Sequence, residues 1–142
     1  FRSPAAATLQ WTPVYSSTGV LLLQPALDGS SIYAIAVGPQ DEQWSLLRIY
    51  GNGVIDTLTL FQEKPVALTV DPAPASLTPV FVLLGNWEVI AVTPHGEQQN
   101  LGGWKNFGPA YSILAAPDSD TGATRLLMGH FRGLLEYQPD AD

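Results

Sequence analysis

Apolar residues in this chain fall in short runs separated by turn-forming residues. Two of the runs, Ile32-Tyr33-Ala34-Ile35-Ala36-Val37 and Val80-Phe81-Val82-Leu83-Leu84, are almost wholly apolar. A third, Val54-Ile55-Asp56-Thr57-Leu58-Thr59-Leu60, alternates in part. A strand buried on both faces is apolar throughout, whereas a half-exposed strand alternates. The pattern therefore predicts strands of both kinds. The 13 glycines and 12 prolines, spread along the whole chain, leave little room for long helices.

The runs recur in one faint but regular grammar. A first unit reads Leu21–Pro25, Ile32–Gly38 and Trp44–Gly53. A second reads Ala67–Pro72, Val80–Gly85 and Trp87–Gly96, and a third Ser112–Pro117, Arg125–Gly129 and Phe131–Asp140. Each has an apolar strand ending at proline, a second ending at glycine, and a third opened by an aromatic residue. Pro25 and Pro72 stand 47 residues apart, and Pro72 and Pro117 stand 45 apart. That period matches a four-stranded β-propeller blade. Less regular fourth strands are expected at Val54–Phe61 and Gln98–Trp104. A blade cannot bury both faces unaided, so blades must stack. The expected fold is all-β: propeller blades over approximate units 17–61, 65–104 and 109–142 of one domain, 1–142. A β-sandwich, with similar short strands and frequent turns, is the alternative.

The ends of the pattern do not match each other. Thr8–Tyr15 reads as a fourth strand with no blade before it, while the third unit lacks a fourth strand. Propellers close in this offset way, but three blades fall short of the usual 4–8, or about that. The chain is thus read as half of a six-bladed ring. Self-association by strand exchange, as a head-to-tail dimer, or a second chain completing the ring would close it.

Val66–Pro72 followed by Val80–Gly85, and Ile113–Asp118 followed by Leu126–Gly129 and Gly133–Tyr137, resemble blades of the Asp-box (BNR-type) β-propeller repeat family. Trp11 and Trp104 resemble its closing tryptophan. The Asp-boxes are degenerate: their places hold Tyr50-Gly51-Asn52-Gly53 and Thr93-Pro94-His95-Gly96, with glycine kept and aspartate gone. The resemblance implies the fold. It also brings in the family's hydrolases, whose sites need an arginine cluster beside a Tyr/Glu nucleophile pair. Here Arg2, Arg48, Arg125 and Arg132 are scattered over different units. The function this supports is a non-catalytic binding or scaffolding module for a protein or glycan partner. The alternative is a fragment of an Asp-box-type propeller glycoside hydrolase.

Charge narrows the partners. Six Lys and Arg against 13 Asp and Glu give a net charge of −7, the wrong sign for gripping nucleic acid. The longest apolar stretch, Pro79–Thr93, contains Asn86 and Glu88 and is too short to span a bilayer, so a soluble chain is expected. Without cysteine there is no disulfide framework, thiolate metal site or cysteine nucleophile. The start at Phe1 fits removal of an export signal, and hence an extracytoplasmic or secreted protein, as well as a trimmed chain.

Candidate chemistry is sparse, and no catalytic, metal or cofactor site is assigned. Asp118-Ser119-Asp120-Thr121-Gly122 resembles the start of a calcium loop but lacks the remaining acidic ligands, so it reads as a hairpin turn. His95 and His130 have no partners at metal-ligand spacing. Asp56, Glu88 and Glu136 lie on predicted strands, where solvated outer faces account for them. Trp44, Trp87 and Phe131 share one repeat position and are expected to pack between blades. Trp104, Lys105, Asn106 and Phe107, in the connection between units, mix aromatic, cationic and amide groups as interface anchors do. With Glu63 and Lys64 in the matching connection, and His130 at the neighbouring turn, they form the expected binding rim.

Overall fold

A computed structural model describes residue 10 and residues 19–38, 40, 42–73, 76–103 and 109–137. Among these residues lie eleven strands in three sheets, with no helix. Sheet 1 runs in order through β1 (Val20–Pro25), β2 (Ser31–Val37), β3 (Trp44–Tyr50) and β4 (Ile55–Phe61). Sheet 2 does the same through β5 (Pro65–Val70), β6 (Val80–Leu84), β7 (Val89–Val92) and β8 (Gln98–Gly102). Sheet 3 holds β9 (Ala110–Pro117), β10 (Thr124–His130) and β11 (Gly133–Glu136). Neighbouring strands are antiparallel throughout. The two fully apolar runs fall in β2 and β6, each interior to its sheet; β6 is buried on both faces, whereas β2 leaves Ile32 and Val37 exposed. The alternating run is the edge strand β4.

The repeat extends to single hydrogen bonds. Val37 N–H donates to the Gly19 carbonyl, Gly85 N–H to that of Lys64, and Phe131 N–H to that of Pro109. Each bond ties the end of a second strand to the residue just before the first strand of its own sheet. At the opposite end, Ala26, Asp71 and Asp118 N–H donate to the Ser31, Pro79 and Ala123 carbonyls. One plan is therefore built three times.

Sheet 2 is packed on both faces. Tyr33, Ile35, Leu46 and Phe61 of sheet 1 meet Leu68, Val80, Val82, Ile90 and Val92 of sheet 2 in one apolar cluster. Phe81, Leu83, Val89 and Ala91, from the other face of sheet 2, meet Ala110, Ile113, Ala115 and Leu126 of sheet 3 in a second. A β-sandwich has two sheets about one core, and this arrangement is different: three sheets enclose two cores. Each fully buried Leu, Ile or Val adds about 1.5–3 kcal/mol over its exposed state, so these clusters are the main source of cohesion.

The first strands of successive sheets lie side by side, β1 by β5 and β5 by β9. Thr69 Oγ1 on β5 accepts from Ala115 N–H on β9 at 3.0 Å. Outer strands of sheets 1 and 2 also touch, and Gln98 Nε2 donates to Thr59 Oγ1 (2.7 Å) and to the Leu60 carbonyl (2.9 Å). Gly96 makes this approach possible. Its φ is +88°, and a Cβ there would overlap the Leu58 carbonyl oxygen.

Trp44 packs against the first cluster and Trp87 against the second, between sheets as expected. Phe131 does not follow them. It stands in the short β10–β11 turn at 70% exposure, because sheet 3 has no described neighbour on its far side. Of Thr8–Tyr15 only Gln10 is described, and it is exposed. No helix long and apolar enough to cross a membrane occurs among the described residues.

Candidate functional site

The rim expected from the sequence is placed only in part. Glu63 and Lys64 are exposed in the connection from β4 to β5. His130 ends β10 at 7% exposure, so its ring is part of the fold's interior and not offered to solvent. Lys64 and His130 do lie at one end of the strands, since Gly85 N–H reaches the Lys64 carbonyl and Phe131 N–H that of Pro109. Trp104, Lys105, Asn106 and Phe107 lie outside the described residues. The Asp118 loop is a capped turn: Asp118 Oδ1 accepts from Asp120 N–H (2.8 Å) and Thr121 N–H (3.2 Å). Those bonds hold its carboxyl below the usual carboxylate range.

The more informative surfaces are the two ends of the stack. Directly opposed residues of an antiparallel pair share a face. Ile35 is opposite Leu46, Leu83 opposite Val89, and Gly129 opposite Leu134, which are equivalent places in the three sheets. Leu46 and Val89 are 0% and 3% exposed, each against the next sheet, whereas Leu134 is 69% exposed. Leu114, on the same outer face, is also exposed. At the other end, sheet 1 turns an apolar back outward. Leu23, Ile32, Ile55 and Leu60 are exposed there around the buried patch Ala34, Ala36, Leu47 and Ile49.

Sheet 3 has a further opening. Among the described residues β11 pairs only with β10. Beside its free edge, between β8 and β11, lies a cavity of about 280 Å³ lined by Leu101, Gly103, Met128, Leu135 and Tyr137. A strand edge with no described partner is suited to strand addition.

The outer face of sheet 3 also carries an ion pair, with Arg125 Nε donating to Glu136 Oε1 at 2.7 Å. This hydrogen bond holds the Glu136 carboxyl below the ordinary glutamate range. The pair's contribution to stability is therefore complete above the ordinary glutamate pKa and is lost as pH falls through the lowered one. A carboxyl-carbon NMR titration is expected to show Glu136 titrating below exposed glutamates. In Arg125→Gln the midpoint is expected to move back up to theirs, and no difference between the two proteins would show that the pair does not form.

A second constellation, which the sequence pattern does not single out, lies at the other end of the strands, between sheets 1 and 2. Tyr33 is opposite Arg48, and Ser31 opposite Tyr50, so all four share one face of β2 and β3. The Arg48 guanidinium lies 5.4 Å from the Tyr33 ring centroid and 5.1 Å from that of Tyr50. Its Nε–H donates to Ser31 Oγ at 2.8 Å, and Nη2 stands 3.6 Å from Asp28 Oδ2. Burial pushes the Tyr33 hydroxyl up, so it stays neutral. A cavity of about 350 Å³ opens beside Arg48. The i, i+2 spacings Ser31/Tyr33 and Arg48/Tyr50 were the available signal, but only strand register joins the two pairs.

No protein-family model matches the chain, and no curated protein matches it either.

Proposed function

We propose that the chain forms three successive blades of a β-propeller that closes by head-to-tail association with a second copy. The ring then serves as a non-catalytic binding or scaffolding module for a protein or glycan partner. The observation that carries this reading is the pair of end faces. The outer face of sheet 3, with Leu114 and Leu134, is the repeat equivalent of the sheet 1 face that packs on sheet 2. The back of sheet 1 is likewise the equivalent of the sheet 2 face that receives it. Each end is thus shaped for the other end of a second copy, and six blades fall within the usual range.

Other features support the reading. Close approach through first strands suits a radial arrangement of sheets. The turns at the degenerate Asp-boxes are each braced by a polar side chain: Asn52 Oδ1 accepts from Val54 N–H, and Thr93 Oγ1 from Glu97 N–H. Residues 8–15 supply the strand that a second copy would add beside β11. The rim with Glu63 and Lys64 remains the proposed partner face.

Native mass spectrometry and light scattering of the intact chain test the association. A dimer is expected. Leu134→Asp places a charge in the contact and is expected to give a monomer with an unchanged β-sheet spectrum. Removing residues 1–15 takes away the completing strand and is expected to give monomer or aggregate. A ladder of larger masses would keep the head-to-tail contact but overturn closure, since such contacts form filaments when the rotation does not close. A stable monomer of the intact chain overturns the half-ring.

A further inference from the structure

We propose that the cavity beside Arg48 binds a carboxylate carried next to an apolar group. Its walls come from sheets 1 and 2 and the turns that follow their strands, so the site does not depend on ring closure. Ala26, Leu27, Val70, Pro79 and Pro94 supply an apolar lining. Volumes of about 300 Å³ and above are typical of small-ligand pockets, which are mostly apolar with a few placed polar groups.

Arg48 is the cation lining this space, and it is held ready. Two tyrosine rings and Ser31 Oγ fix the plane of the guanidinium, so little side-chain freedom is left to lose on binding. Among the described residues its Nη atoms make no hydrogen bond, for the 3.6 Å approach of Asp28 is an ion pair too long to be one. A planar fork with unused donors is the group that grips a carboxylate in two parallel bonds.

The two acids at the site play different parts. Asp71 is spent: its carboxylate accepts from Ala73 N–H, Ser76 Oγ and the Thr124 hydroxyl. Asp28 is exposed, braces its own turn through Ser30 N–H, and sits loosely at Arg48. It is the internal competitor that a ligand carboxylate displaces. Affinity should therefore respond with opposite signs to Arg48 and to Asp28, which a purely structural role for Arg48 does not predict.

The test uses the intact chain and three probes: a pentapeptide ending in leucine with a free carboxylate, the same peptide amidated, and isovalerate. NMR shifts of Arg48 Nε–H and the Leu27 amide report binding. The free-acid peptide is expected to give saturable shifts, and the amide to bind at least about tenfold more weakly, the loss of one charge-assisted pair. Isovalerate matching the peptide assigns the site to small free acids, and weaker isovalerate binding assigns it to a chain terminus. Arg48→Gln is expected to remove binding. Asp28→Asn is expected to tighten it several-fold with an unchanged melting temperature, and decides the matter if Arg48→Gln does not fold. Equal binding of acid and amide, no saturable shift, or an Asp28→Asn affinity that is unchanged or lower overturns the proposal.

Discussion

Replacing Leu83 with alanine is expected to destabilise the chain by about 2–5 kcal/mol. Leu83 is fully buried on β6, opposite Ala67 and Val89, and packs with Phe81, Ile113, Ala115 and Leu126. Truncation removes apolar burial and leaves a cavity. That cavity is hard to collapse, because ladders of hydrogen bonds hold the β6 backbone on both sides. Urea denaturation with an unchanged slope is the measurement. Leu134→Ala is the control: at 69% exposure it is expected to fall within about 0.5 kcal/mol of the parent under conditions where the chain is monomeric. A loss below about 1 kcal/mol for Leu83→Ala would contradict the packing of sheets 2 and 3.

Asp71→Ala is expected to cost about 2–4 kcal/mol, for a different reason. Asp71 is 6% exposed, and its two oxygens gather three donors from two sheets. Ala73 N–H (2.9 Å) and Ser76 Oγ (2.7 Å) shape the loop after β5, while the Thr124 hydroxyl fastens that loop to β10. Removing the carboxylate leaves all three part-buried donors without their acceptor. Hydrogen exchange at the Ala73 amide should quicken together with the fall in stability. Asp71→Asn retains one acceptor oxygen and is expected to lose less. Equal losses for the two variants would mean that the charge, and not the geometry of acceptance, holds the loop.

Much of the strand layout is legible in the sequence. Fully apolar runs marked the interior strands β2 and β6 to within a residue; β6 is buried on both faces, which leaves no place for a polar side chain, while β2 keeps Ile32 and Val37 exposed. Proline and glycine marked the strand ends, and the period near 45 separated the sheets. The repeat pattern reads the third unit without a fourth strand, and sheet 3 holds three strands among the described residues. Less of the candidate site was legible. Glu63 and Lys64 are exposed, but His130 is buried, since alternation along β10 sets it on the same face as Leu126 and Met128, which packs toward sheet 2. Phe131 shares its repeat position with Trp44 and Trp87 yet stands in solvent.

What the sequence by itself determined is therefore the local alternation, the turns and the repeat, all properties of residues close together in the chain. Tertiary structure decided which faces meet. Asp71 and Thr124 are 53 residues apart and touch only because sheets 2 and 3 come together through their first strands. Arg48 gains Ser31 and both tyrosines from the register of β2 on β3, where a one-residue slip would turn them to opposite faces. Leu46, Val89 and Leu134 read alike as apolar strand residues, and only the presence or absence of a neighbouring sheet separates the two buried ones from the exposed third.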